Sequence, residues 1–361
     1  MKKWAKRIIF FLLLITIVLL INNTIGRLGY NREEKEEKQL TKFELEDVKE
    51  AKRLKESYGD KLFNGFSKSD IPIVVYNDKY EFLINDTSLD ASFMEFDNNN
   101  SIVGEKIYIR DHKNAQAFAL KIDNNWVGSM PTLYTYNKDA INAMNKEMPL
   151  VVNRLFPPQL ITITRGFIPS AIVHEMMHAY FGNLNEKKLN RAEELTKIQK
   201  EYPDTDGINE KWNMEGNALY NALNAKSSEE SIKYVKEFLK IRDGRRRAHK
   251  LSSEFVDLER FKEWEEGLGK YAEIKIYDFA QKDSNSSKVY NYRNNRPYWK
   301  SDFKSIRDNL GLRDVEYRFY LSGMAQAMIL DNLSDKWNVN IDKDGVYLED
   351  KLREIVMKIN N

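Results

Sequence analysis

His174-Glu175-Met176-Met177-His178 is the segment from which the fold and chemistry of this chain are inferred, because it matches the pattern H-E-x-x-H. On a helix, two histidines four residues apart project from the same face and can bind one metal ion. The glutamate between them supplies a carboxylate that can take a proton from a water molecule. We therefore predict that His174 and His178 are metal ligands and that Glu175 is the catalytic base.

The residues on either side of this segment predict a helix. Pro169-Ser170 is typical of a first helical turn, and Gly182-Asn183 is typical of a helix end. The two histidines and Glu175 would then lie along one face of that helix. The simpler alternative is a buried helix whose histidines bond only to backbone, but two of the chain's four histidines lie in this segment.

Composition limits the possible functions. The 361 residues are 42% apolar, which is enough for a substantial core. The 57 basic and 55 acidic residues give a net charge of +2, so the charge gives no reason to expect a nucleic-acid partner. The chain has no cysteine, which excludes disulfides and thiolate ligands. Any metal must therefore be bound by His, Asp or Glu.

The amino terminus has the pattern of a membrane anchor. Lys2, Lys3, Lys6 and Arg7 precede an unbroken apolar run, Ile8–Ile21, and no small-residue cleavage site follows. We expect an uncleaved signal-anchor around residues 7–24, with the catalytic body outside the cytoplasm. A cleaved secretory peptide is the alternative, and it would change the anchoring but not the compartment.

The rest of the chain predicts an α+β fold. Residues 1–27 are interpreted as a cytoplasmic tail with the signal-anchor, and residues 28–66 as a juxtamembrane spacer and helix. Residues 67–165 are expected to form a small mixed α/β subdomain, and residues 166–361 a larger helical zinc-peptidase subdomain. We expect the zinc site to lie in the cleft between these two subdomains.

Several local elements can be predicted within these regions. Apolar residues at helical spacing, from Leu45 to Tyr58, predict an amphipathic helix. Ile73–Tyr76 and Tyr80–Ile84 flank Asn77-Asp78 and predict a hairpin. Residues 107–109 and 133–136 are further strand candidates.

Two imidazoles form only part of a catalytic zinc site, which needs a third protein ligand. The metzincin pattern would place histidine at position 184, but this chain has Leu184. His112 and His249 remain available, although neither has a recognisable ligand context. His249 also follows Arg245-Arg246-Arg247, whose positive charge disfavours a cation. A downstream glutamate is the better candidate.

Trp264-Glu265-Glu266-Gly267-Leu268-Gly269-Lys270-Tyr271 resembles the glutamate-donating segment of gluzincin metallopeptidases, distantly that of the aminopeptidase-N type. The resemblance implies that Glu266 is the third zinc ligand, with Gly269 in place of the usual alanine. Phe319-Tyr320-Leu321-Ser322-Gly323 is similar to the Y-x-x-G segment of the same group. This similarity implies that Tyr320 stabilises the transition state. The resemblance extends over roughly residues 165–335.

The chain departs from that family in two respects. About ninety residues separate His178 from Glu266, far more than is usual in aminopeptidases of this type. The G-x-M-E-N strand that recognises a free amino terminus is also missing, since Gly128-Ser129-Met130-Pro131 lacks the glutamate. Within the extra length, Glu215-Gly216-Asn217-Ala218-Leu219-Tyr220 also matches the ligand pattern. Glu215 is therefore a rival third ligand, or else a member of a buried ion pair with Arg242 or Arg245.

These residues predict a membrane-anchored, outward-facing zinc metallopeptidase with one Zn²⁺ per chain. Zinc would lower the pKa of a water molecule to about 7 and polarise the scissile carbonyl of a peptide or protein substrate. Glu175 would transfer the proton, and Tyr320 would stabilise the oxyanion. Two alternatives remain. One is a catalytically silent, zinc-stabilised binding or regulatory protein with this fold, and the other is a surface protein whose H-E-x-x-H motif is accidental.

Overall fold

The structure is a computed structural model of the chain. It describes residues 15–24, 38–96, 102–113, 115–147, 165–283, 290, 292 and 300–360. The chain divides into two compact units. The first comprises Met1–Glu50, Pro72–Ala117 and Ser129–Pro169, and the second comprises Ala51–Ile71, Phe118–Gly128 and Ser170–Asn361. The fold is mixed α+β and mostly helical, with one six-stranded sheet among the described residues.

The sheet has the strand order β3-β4-β2-β1-β6-β5. Its strands are β1 Ile73–Tyr76, β2 Tyr80–Ile84, β3 Met94–Phe96, β4 Ile107–Asp111, β5 Phe118–Ile122 and β6 Asn125–Pro131. The predicted hairpin is confirmed, because β1 and β2 pair antiparallel around Asn77-Asp78. β4 pairs antiparallel with both β2 and β3. β1 is apolar throughout and β2 is apolar except for Glu81, and both strands are buried in the core of the first unit apart from the half-buried Tyr76 and Tyr80.

The helices account for most of the fold. Residues 15–24 are helical. The helices after them are α1 Lys42–Tyr58, α2 Leu133–Glu147, α3 Ile168–Leu184, α4 Glu186–Thr196, α5 Asp206–Leu223, α6 Ser228–Ala248, α7 Ser253–Lys282, α8 Lys300–Asp308, α9 Val315–Leu333 and α10 Leu348–Asn360. The predicted amphipathic helix is α1, in which Leu45, Val48 and Leu54 are fully buried.

One strand candidate is wrong. Residues 133–136 begin α2 rather than a strand. The hydroxyl of Thr132 accepts a hydrogen bond from the backbone N–H of Thr135 at 3.2 Å, and the Thr132 carbonyl accepts from Tyr136 N–H at 2.9 Å. A threonine cap of this kind satisfies the free N–H groups of a first turn and outweighs the strand preference of aromatic residues.

Helix α7 is the central element of the second unit. Ser252 caps its first turn by accepting a hydrogen bond from Phe255 N–H at 3.3 Å. Seven of its charged side chains are buried, which is rare unless such groups are paired. They are Glu259, Lys262, Glu263, Glu265, Glu266, Lys270 and Glu273.

In the part of the chain that the structure describes, no helix is both long enough and apolar enough to cross a membrane. Residues 1–14 and 25–27 of the expected tail and anchor, and residues 28–37 of the expected spacer, lie outside the described ranges.

Candidate metal centre

Helix α3 supplies the two histidines of the candidate site. His174 and His178 lie one helical turn apart and are 5% and 1% exposed, with ring centroids separated by 4.8 Å. Phe118, the first residue of β5, packs on the His178 ring at 4.6 Å between centroids. The helical spacing of the motif therefore places both imidazoles in one buried pocket of the second unit.

Helix α7 brings Glu266 to the same place. The Oε2 atom of Glu266 lies 3.5 Å from His174 Nε2 and 3.4 Å from His178 Nε2. All three side chains are buried, and one ligand atom from each lies within 4.8 Å of the other two. The structure thus brings together the three side chains that the sequence analysis singled out as metal ligands.

The donor set fits a zinc ion. Ligand atoms about 2.0–2.1 Å from a tetrahedral zinc lie about 3.3–3.5 Å from one another, and the two His–Glu266 distances fall in that range. Among the described residues, His178 Nε2 and Glu266 Oε2 are buried without a hydrogen-bond partner. Buried polar atoms are costly without a partner, and a shared cation would satisfy both.

Glu273 holds His174 from the opposite side of the ring. Its Oε2 lies 3.2 Å from His174 Nδ1, and its Oε1 accepts a hydrogen bond from Lys270 Nζ at 2.8 Å. A carboxylate that accepts from Nδ1–H leaves the Nε2 lone pair of that imidazole free for a metal. Sequence reasoning missed Glu273. The available signal was its position seven residues after Glu266, which places both on one face of α7.

The pocket favours positive charge. Burial alone would lower the pKa of His174, but the nearby carboxylates of Glu266 and Glu273 raise it to about 10. Burial likewise opposes ionisation of Glu266, yet the charge of His178 and the proximity of both imidazoles hold the pKa of that carboxyl well below its usual value. Carboxylates that stay ionised in a buried pocket create a negative potential that attracts a cation.

Glu175 lies between the two ligands on α3 and is half-buried. Burial raises the pKa of its carboxyl to about 8. The nearby charges of Glu266 and Glu273 act in the same direction, while the charge of His174 opposes them. A carboxyl group with a pKa near neutrality is suited to taking up and releasing a proton in one reaction cycle.

Tyr320 lies beside His174. The two rings are stacked at 5.9 Å between centroids, with an interplanar angle of 27°. Burial and the charge of Glu266 raise the pKa of Tyr320 well above its usual value, so the phenol stays protonated. Tyr271 and Tyr317, by contrast, donate hydrogen bonds to carboxylates: Tyr271 to Asp331 and Tyr317 to Asp302, each at 2.8 Å.

Two glycines bring α7 and α9 into backbone contact at this site. A Cβ atom on Gly267 would overlap Gly323, and a Cβ on Gly323 would overlap the carbonyl of Glu263. Gly267 follows Glu266, and Gly323 lies one turn after Tyr320. The missing side chains therefore let the two helices approach closely enough for Glu266 and Tyr320 to be neighbours.

The other candidate ligands lie elsewhere. Glu215 is fully buried on α5, where its carboxylate accepts hydrogen bonds from Arg242 Nε at 3.0 Å and Arg245 Nε at 2.5 Å. His112 lies 3.5 Å from Glu81 in the first unit. His249 caps the end of α6. None of these three belongs to the group of described side chains that could share an ion with His174.

Comparison with protein-family models, with curated proteins and with solved structures finds no match for this chain. Any assignment of function therefore depends on the residues and geometry of the candidate centre.

Proposed function

We propose that the chain is a zinc-dependent metallopeptidase of the gluzincin type, with His174, His178 and Glu266 as ligands of one Zn²⁺. The observation that carries this proposal is the meeting of three buried ligand atoms within 4.8 Å of one another, with Glu266 Oε2 lying 3.4–3.5 Å from both imidazole nitrogens. A purely structural zinc site has no need of a free carboxylate between its histidines, and Glu175 occupies that place.

The mechanism assigns a role to each side chain at the site. When bound, zinc would polarise a carbonyl and make a water molecule more acidic. Glu175 takes a proton from the attacking water and returns it to the leaving amine. Tyr320 donates its phenolic hydrogen bond to the oxyanion that develops as the carbonyl becomes tetrahedral. Glu273 keeps His174 in the tautomer that presents Nε2.

A peptide substrate fits the surroundings of the site. β5 is at the edge of the sheet as the described residues define it, and its first residue contacts His178. An extended peptide can pair with a free strand edge through backbone hydrogen bonds. We propose on this basis that the scissile bond lies beside β5, within the second unit.

A peptide-library assay with a Glu175→Gln variant tests the proposal. Glutamine has nearly the same shape but cannot accept the proton, so hydrolysis should fall about 10²–10⁴-fold. Zinc content should stay at one ion per chain, as measured by elemental analysis. Stoichiometric zinc without hydrolysis in the wild-type chain would instead support the silent binding protein, and a wild-type chain without zinc would refute both.

Tyr320→Phe tests the oxyanion role. This variant should keep its zinc and its substrate affinity but lose about a hundredfold in kcat, because the lost hydrogen bond forms only in the transition state. A kcat near the wild-type value would show that Tyr320 serves only in packing.

We also propose that the body is held outside the cytoplasmic membrane by the amino-terminal segment. The basic residues before the apolar run Ile8–Ile21 support this proposal. Protease added to intact cells should digest the body, and the full-length chain should sediment with membranes. Recovery of a soluble chain beginning near residue 25 would show cleavage, and a body protected from protease would reverse the orientation.

A further inference from the structure

Asp302 on α8 is linked to the candidate metal centre through a line of polar contacts. Its Oδ2 lies 3.5 Å from Lys270 Nζ, which donates to Glu273 Oε1 at 2.8 Å. The other oxygen of Glu273 lies 3.2 Å from His174 Nδ1. Asp302 is therefore three contacts away from a proposed zinc ligand, and every side chain along this line is buried.

A second line leads from the same carboxylate to the proposed oxyanion donor. The hydroxyl of Tyr317 donates a hydrogen bond to Asp302 Oδ1 at 2.8 Å. The Tyr317 ring is stacked with that of Tyr320 at 6.0 Å between centroids and 27° between planes. Tyr320 is in turn stacked with His174. Asp302 Oδ2 is thus linked through Lys270 and Glu273 to the proposed zinc ligand His174. Asp302 Oδ1 is linked through Tyr317 to Tyr320, the proposed oxyanion donor.

Asp302 has more partners than a simple ion pair, because its carboxylate contacts both Lys270 and Tyr317. Asp302 is 6% exposed, and a buried carboxylate recovers its desolvation cost only with well-placed partners. A buried ion pair often adds little net stability compared with apolar packing, so stability alone is a weak reason for Asp302 to be there. A stronger reason for a buried carboxylate at this position is that it fixes the geometry of two groups that must act together.

We propose that Asp302 is a positioning residue for both halves of the active site. Through Lys270 it fixes the carboxylate of Glu273, which orients His174 toward the metal. Through Tyr317 it fixes the ring against which Tyr320 is stacked. This inference rests on the proposed function, because it assigns Asp302 to the same reaction.

Two substitutions at Asp302 separate the two lines. Asp302→Asn keeps an oxygen that can accept from Tyr317 but removes the charge facing Lys270. Its zinc affinity should fall about tenfold, within the range typical of outer partners of metal ligands, while kcat of the zinc-loaded protein stays within about threefold of wild type. Asp302→Ala removes both contacts, so its zinc affinity should fall similarly and its kcat about tenfold or more, with little change in KM.

Lys270 belongs to the contacts that lead to His174, and Tyr317 belongs to those that lead to Tyr320. A substitution at either residue should therefore change only one quantity, zinc affinity or kcat. Lys270→Met should lower zinc affinity and spare kcat at saturating zinc. Tyr317→Phe should lower kcat and spare zinc affinity, because it loses the hydroxyl but keeps the ring. Asp308→Asn, on the exposed side of the same helix, is the matched control and should change neither quantity.

The measurements use the purified full-length chain. Zinc affinity is obtained by competition with a chelator, and kcat and KM with the best-cleaved peptide of a quenched library. If Asp302→Ala lowers the melting temperature but leaves zinc affinity and kcat at wild-type values, Asp302 is a packing residue and the inference is wrong. If Asp302→Ala does not fold, an unchanged zinc affinity in Asp302→Asn overturns the inference equally. A wild-type chain that binds no zinc would refute the proposed function itself. If the wild-type chain binds zinc but does not hydrolyse peptides, the zinc affinities of the Asp302 variants alone test the role of Asp302.

Discussion

Glu215 and Glu266 share one sequence pattern but have different surroundings. Both precede a glycine within the motif that resembles the gluzincin ligand segment. Glu266 faces two imidazoles, whereas Glu215 faces two guanidinium groups. Guanidinium groups are permanently charged and cannot bind a metal, so the environment of each carboxylate decides its chemistry.

Alanine substitutions at these two positions should therefore have opposite consequences. Glu266→Ala removes a proposed ligand, and zinc affinity should fall by more than the roughly 10–100-fold expected for an outer partner. Glu215→Ala should keep its zinc but lose about 3–5 kcal/mol of unfolding free energy, because Arg242 and Arg245 would stay buried without this partner. Elemental analysis and denaturant unfolding measure the two effects. If Glu215→Ala loses its zinc and Glu266→Ala does not, Glu215 is the third zinc ligand and Glu266 is not.

Gly269 lies against the ring of His174. A Cβ atom at this position would lie 2.5 Å from His174 Nε2, which is closer than nonbonded atoms can approach. Gly269→Ala should therefore displace the imidazole and weaken zinc binding about tenfold or more, even though alanine favours a helix more than glycine does. Chelator competition measures the loss.

Gly244→Ala is the matched control for this prediction, since a Cβ at Gly244 meets no atom within 4 Å. It should leave zinc binding unchanged and raise the unfolding free energy by up to about 1 kcal/mol. Equal zinc affinities in the two variants would show that the His174 ring can move aside without cost.

At the scale of elements, the crossing of α7 and α9 determines how Glu266 and Tyr320 meet. Gly323→Ala would place a methyl group against the backbone of Glu263. Overpacking of this kind costs about 1–3 kcal/mol, and it should also separate the two helices. We expect a lower melting temperature together with a lower kcat. A stable variant with full activity would mean that the close crossing has no bearing on the site.

The sequence predicted some of these elements well. The hairpin of β1 and β2 was predicted at its observed bounds, because two short runs rich in β-branched and aromatic residues flank the turn-forming pair Asn77-Asp78. The start of α3 was predicted from Pro169. Residues 133–136 were misassigned, because a side-chain cap on Thr132 decides the local structure there.

The buried face of α7 could not be predicted from periodicity. Its charged residues would normally indicate a solvated surface, yet Lys262, Glu263 and Glu273 are buried. Each is paired with a partner distant in the sequence or with another charge of α7. Such pairings depend on the tertiary structure. Glu266 could be identified from the motif Trp264–Tyr271. The roles of Glu273 and Asp302 depend on tertiary contacts, so only the structure could identify them.

At the scale of the whole molecule, a buried network of ion pairs joins helices α5, α6, α7 and α10 of the second unit. Arg242 contacts Glu215, Glu263 and Glu349 at 2.5–3.1 Å. Arg245 and Arg246 both pair with Glu259. Each helix contributes charge to a common centre, so protonation of these carboxylates should affect the unit as a whole.

The network predicts acid sensitivity of the second unit. Burial alone would raise the pKa of Glu349, but the charges of Arg246 and Arg242 outweigh it and hold that pKa at about 2, against an ordinary value of 4.5. A carboxyl whose pKa is lower in the folded state stabilises the fold above about pH 4.5, and this contribution is lost as the pH falls toward 2. For Glu349 the loss is on the order of 3 kcal/mol.

Denaturant unfolding between pH 5 and pH 2 tests this expectation, with zinc removed by chelator so that metal release does not contribute. The unfolding free energy of the wild-type chain should fall steadily over that range. Glu349→Gln should be less stable than wild type at pH 5, because Arg242 and Arg246 lose a charged partner, and its stability should depend less on pH. Glu354→Gln, at an exposed position of the same helix, is the control and should follow the wild-type profile. If Glu349→Gln keeps the full wild-type pH dependence, the acid sensitivity comes from carboxylates other than Glu349.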